Sequence, residues 1–174
     1  METNAFGRRR RVQGALLGLV ALAAVVAPAS PAGAATAVGR FTTLPAGESA
    51  GYDIYGVALL SRTSSGTSGR VVVVGLEPGT SYAAHLHNAP CGAANPGGGH
   101  YQNVPNSGTT PPNELWFSTT GNPLTGIAAN RGGVAIGRGS ADWVARPEAQ
   151  SVVIHALVNN NFGGGPKIAC ADLS

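Results

Sequence analysis

The chain has 174 residues, of which 43% are hydrophobic and only 11% charged, with 26 glycines and 12 prolines. That hydrophobic fraction is enough to pack a core and excludes wholesale disorder. The scarce charge and the Gly/Pro content exclude a helical bundle or coiled coil and favour an all-β domain with long loops. The formal charge of +3 comes from Arg8–Arg11, and past residue 34 seven basic residues balance seven acidic ones, which leaves no basic face for a nucleic acid.

Residues 1–34 read as an export signal peptide. Arg8 to Arg11 give its positive start, Gly14 to Ala27 an apolar stretch too short for a comfortable membrane span, and Ala32-Gly33-Ala34 a small-x-small cleavage site. A retained membrane anchor is the alternative. The domain is then residues 35–174, expected to be secreted or extracytoplasmic and free of the membrane once cleaved. It holds two cysteines, Cys91 and Cys170, which in an oxidising compartment read as one bridge. Two buried free thiols are the alternative.

From Thr36 onward strands and turns alternate. Val38 to Leu44 is a short strand stopped by Pro45-Ala46-Gly47, and Gly51 to Arg62 alternates between two faces. Thr63 to Gly69 reads as a Ser/Thr/Gly turn, Arg70 to Leu76 as a buried β-branched strand, and Glu77-Pro78-Gly79-Thr80 as a turn. Tyr82 to His87 is the next strand. Asn88 to Asn113 reads as loop, with five prolines and the run Gly97-Gly98-Gly99. So long a loop inside a small domain is usually functional. Strands are expected again over Glu114 to Thr119, Gly133 to Arg138, Gln150 to Leu157 and Lys167 to Leu173, with a polar loop from Asn159 to Pro166. About eight short strands and no helix suggest a sandwich or Greek-key barrel.

The candidate chemistry lies in four histidines: His85, His87, His100 and His155. In His85-Leu86-His87 a spacing of two puts both rings on one strand face, within reach of one ion, with Leu86 turned to the core. Taken alone, the pair also fits two half-exposed strand histidines. His155 ends an apolar strand and also fits a core histidine bonded to a backbone carbonyl.

Together, His85-Leu86-His87, Cys91, Gly98-Gly99-His100-Tyr101, Ser151-Val152-Val153-Ile154-His155-Ala156 and Lys167-Ile168-Ala169-Cys170 resemble the copper/zinc superoxide dismutase family. The resemblance covers roughly residues 36–174. It implies an eight-stranded Greek-key β-barrel, a bridge from loop Cys91 to last-strand Cys170, and copper held by His85, His87, His100 and His155. In that family the residue at His100 links copper to zinc, leaves the copper on reduction and carries a proton.

The chain departs from the family pattern in three places. No histidine lies between His100 and His155, so the zinc set is missing and zinc is not expected. The span from His155 to Lys167 is too short for the family's charged guiding loop. Lys167 stands where the family usually carries an arginine, so its point charge is expected to attract superoxide but to orient it less well than a planar fork. The first two departures resemble copper-only superoxide dismutases, in which a glutamate takes over the vacated zinc region. Glu114 is placed to match it, holding the distal nitrogen of His100. Glu114 as a solvent-facing strand residue and Lys167 as an exposed strand-end lysine are the alternatives. The resemblance thus implies a copper enzyme acting on superoxide; a non-catalytic copper-buffering protein on the same barrel is the second reading.

Overall fold

The computed structural model describes residues 35–157 and 164–174. The signal peptide expected over residues 1–34 lies outside the described residues, as does most of the polar loop expected from Asn159. Alternating and β-branched runs pair into eight strands: β1 (Ala35–Thr43), β2 (Tyr55–Thr63), β3 (Gly66–Val74), β4 (Ser81–His87), β5 (Ile127–Ala128), β6 (Ala135–Ala141), β7 (Ser151–His155) and β8 (Lys167–Asp172). Their order is β5-β4-β7-β8-β1-β2-β3-β6, every ladder antiparallel. The expected all-β, eight-stranded fold forms, as a nearly closed barrel.

The barrel is closed by residues 115–118, which lie between β4 and β6. Leu86 N–H donates to Leu115 O, Phe117 N–H to Ala84 O, and Ser118 and Arg138 exchange backbone bonds at 2.9 Å. The strand expected over Glu114 to Thr119 is therefore a seam with isolated bridges rather than a full ladder. Its inward residues, Leu115 and Phe117, are buried with Leu60, Val71, Leu86 and Ile154 in one apolar cluster. Burying side chains of this size stabilises the fold by about 1.5–3 kcal/mol each.

Two local expectations are corrected, and one short strand is added to those expected. The turn at Pro45-Ala46-Gly47 winds into a single helical turn, α1 (Pro45–Ser49). Pro45 presets the first residue's φ, Ala50 N–H donates to Ala46 O, and Ser49 Oγ donates to Pro45 O. Five residues carry no helical periodicity to read. The turn expected over Thr63 to Gly69 is only Ser64-Ser65, with β3 already running from Gly66. Gly69 reads as a turn residue but is a packing one: a Cβ there would come within 2.7 Å of the Phe117 ring. Finally, β5 is two residues long, too short to register as a pattern. Among the described residues no helix is long and apolar enough to cross a membrane.

Candidate metal centre

β4 and β7 are neighbours, and the register sets His155 opposite Ala83, two residues before His85. With alternation along β4, His85 and His87 share one face, and both are fully buried. Leu86, between them, points into the apolar core. His100 is delivered by the long loop. Asn88 N–H donates to Gly99 O and Tyr101 N–H donates to Leu86 O, so residues 99–101 run alongside the end of β4 and His100 bridges to His87. Tyr101 buries its ring on the opposite side and accepts the Arg146 N–H at its hydroxyl, anchoring the loop.

The four imidazoles converge. Each offers one ring nitrogen, and these nitrogens all lie within 4.8 Å of one another. His87 Nε2 is 3.1 Å from His85 Nδ1 and 3.2 Å from His155 Nε2. A metal binding imidazole at about 2.0–2.1 Å sets neighbouring ligand nitrogens about 2.9–3.4 Å apart. The spacing therefore fits a single ion.

The outward nitrogens fix the tautomers. His155 Nδ1–H donates to Gly165 O at 2.8 Å, and His100 Nδ1–H donates to Glu114 Oε2 at 2.8 Å. A ring that donates from Nδ1 keeps the lone pair of Nε2 for the interior. Trp116 Nε1–H donates to the same Glu114 oxygen at 2.7 Å, and the indole lies 5.1 Å from the His85 ring. Glu114 is 2% exposed, which rules out the solvent-facing alternative. His85 and His87, likewise, are not the half-exposed strand pair that the dipeptide alone also allowed.

Burial sets the charge state. It is the largest cause holding His87 down at about 2, with His155, His100 and Lys167 adding to it. His155 is held at about 4, again chiefly by burial. Both rings are neutral at pH 7, the form that binds a metal. His100 is the open member, with 18% of its side chain exposed.

Lys167 is not an exposed strand-end lysine. Its ammonium donates to Asn95 Oδ1 and Pro96 O, each at 2.8 Å, and to Gly98 O. Burial lowers its pKa. All three donors are engaged by the loop that carries His100. A few residues away Cys91 is joined to Cys170 of β8, and Cys91 N–H donates to Asp172 Oδ1 at 2.6 Å. The free-thiol alternative falls. Gly97, at φ +73°, passes so close to β7 that a Cβ would meet Val153 Cγ2 at 2.5 Å.

The structure thus brings His85, His87, His100, His155, Glu114 and Lys167 into one region. The sequence reading missed Trp116 and the Gly165 carbonyl. Trp116 stands two residues after Glu114 on an extended segment, so the same-face rule pointed to it. A backbone carbonyl carries no residue-type signal at all.

No known family model and no curated protein sequence matches this chain. Among solved structures the fold is similar to a Cu/Zn superoxide dismutase from Brucella abortus, with a TM-score of 0.53 and 20% identity over 80% of this chain and 100% of that one. At that identity the likeness speaks for the barrel; the four-histidine cluster speaks for a metal.

Proposed function

We propose that this protein is an exported superoxide dismutase-like enzyme that holds one copper on His85, His87, His100 and His155 and no zinc. The observation that carries this is the convergence of four ring nitrogens within 4.8 Å in a buried site. Imidazole suits copper, and zinc has no redox step to offer. Cys91–Cys170 fits an oxidising compartment, in keeping with the leader read over residues 1–34.

Copper bound there supplies one-electron chemistry, in which one superoxide is oxidised to dioxygen and a second, with two protons, is reduced to peroxide. The chain's own residues do the rest. His87 and His155, neutral through burial, keep their inner lone pairs for the ion. Glu114 holds the Nδ1 proton of His100, so Nε2 is the atom that binds or, when free, takes a proton. Trp116 fixes the carboxylate so that it aims His100. Glu114 would thereby do what zinc does in the two-metal relatives. Lys167 holds the loop by hydrogen bonds and contributes long-range attraction for the anion.

The engagement of all three Lys167 donors also favours a second reading, a copper-buffering protein with little turnover. Loading the purified protein with copper, assaying the metal bound and then following the decay of a superoxide pulse separates the two. Turnover that vanishes in His100→Ala supports the enzyme. One tightly held copper with decay no faster than in buffer supports the buffer. No tightly held copper sinks both.

A further inference from the structure

On the far side of Glu114 and Trp116 from the histidines lies a groove of about 700 Å³. Its floor is the outward face of β2, β3 and β6, and strand register orders that floor in rows. Ser61, Ser68 and Ser140 are successive cross-strand partners, and so, two residues along, are Leu59, Arg70 and Arg138. The opposite wall carries the rings of Pro111, Pro112 and Pro123.

Arg70 and Arg138 are directly opposed and both exposed. Residues so placed have Cβ atoms about 4.5–5.5 Å apart, and like charges there are destabilising. Among the described residues neither guanidinium makes an ion pair or a hydrogen bond. The acid lining the groove, Glu114, has its Oε2 already engaged by His100 and Trp116. Two unneutralised forks are therefore held side by side by a rigid ladder. An anion with two or more oxygens would accept from both.

The rest of the groove narrows the ligand. The hydroxyl row of Ser61, Ser68 and Ser140 offers donors and acceptors to ligand hydroxyls. The proline wall offers an apolar surface to the C–H face of a ring. The volume falls in the usual range for small-ligand sites. We propose that this groove binds an acidic saccharide, its carboxylate or sulfate on Arg70 and Arg138, its hydroxyls on the serine row and its ring face on the prolines. The site is separate from the metal cluster and stands or falls independently of it.

Titration calorimetry of the purified protein tests this, with four probes: digalacturonate, a sulfated disaccharide, the neutral disaccharide and sodium sulfate. At least one acidic disaccharide is expected to bind 10-fold or more tightly than both the neutral sugar and sulfate; which one it is identifies the anionic group. Arg70→Gln and Arg138→Gln should each weaken it 10-fold or more. Arg70→Lys, which keeps the charge but loses the fork, should weaken it several-fold. Arg40→Gln, on β1 outside the groove, should change it less than 2-fold. All three arginines are exposed, and matched melting curves check that folding is intact. Equal binding of sulfate and acidic disaccharide, equal loss in Arg40→Gln, or no binding of either acidic disaccharide would overturn the proposal.

Discussion

The strands β1, β2, β3 and β6 are built differently from the half of the barrel that carries the histidines. In the first group long ladders dominate: β2 and β3 pair over nine positions through a two-residue turn, and β3 and β6 over seven. In the second, β4 and β7 pair over only five positions, and the segment from Asn88 to Ser118 is held by separate side-chain ties. Among them are the Cys91–Cys170 bridge, the Lys167 ammonium on loop acceptors, and Glu114 between His100 and Trp116. A ladder spreads its stability over many equivalent bonds, whereas a tied loop concentrates it in a few side chains. The second arrangement lets a loop residue, His100, be set against strand residues to form a site.

If this contrast is right, the largest single effect should come from the bridge. Cys91→Ala with Cys170→Ala frees a loop of 79 residues, an entropy difference of about 4.5 kcal/mol at most. Denaturant titration should show a loss of that order, and copper affinity should fall as well, since His100 sits on the released loop. Unchanged copper affinity would mean that Lys167 and Tyr101 suffice to hold His100.

Two neighbours sharpen the comparison further. Leu115 is 1% exposed and packs in the core. Leu115→Ala should cost about 2–5 kcal/mol of stability through the cavity it leaves. Glu114→Ala should instead act on the site, lowering copper affinity or turnover by about 10- to 100-fold, with Glu114→Gln milder. Calorimetric melting and copper titration on all three variants would show whether fold and site separate at this one position along the seam. An unaltered copper titration and turnover in Glu114→Ala would remove Glu114 from the site.

The smallest effect is one of pH. His87 and His155 have folded pKa values pushed down from 6.5, so below that value the unfolded chain binds protons that the folded chain refuses. Stability of the metal-free protein is then full above about pH 6.5 and falls as pH drops through it, by about 1 kcal/mol between pH 7 and pH 6. All four histidines lie in the tied half, so replacing His87 and His155 together with Gln should flatten the curve.

The ladder half was legible because its signals are local. The alternation of Gly51 to Arg62 and the valine run from Val71 carry the strand period in themselves. It failed where a residue type answers to a distant contact: Gly69 reads as a turn, yet it is small because Phe117 lies against it. In the site, the strand period set His85 and His87 on one face, and the likeness to a known family suggested which loop and strand residues join them. Trp116 carried only the same-face signal of its spacing from Glu114, and the Gly165 carbonyl carried no residue-type signal. Their roles arise from where the barrel seam and the β7–β8 connection bring them.

The central claim is that His85, His87, His100 and His155 together hold a single copper, with no second metal. Elemental analysis of the purified protein after incubation with copper and zinc together, followed by removal of loose metal, tests it most directly. One copper per chain, no zinc, and loss of the copper in His85→Ala with His155→Ala is the expected result. Stoichiometric zinc beside the copper, or copper retained when those two histidines are gone, would contradict it.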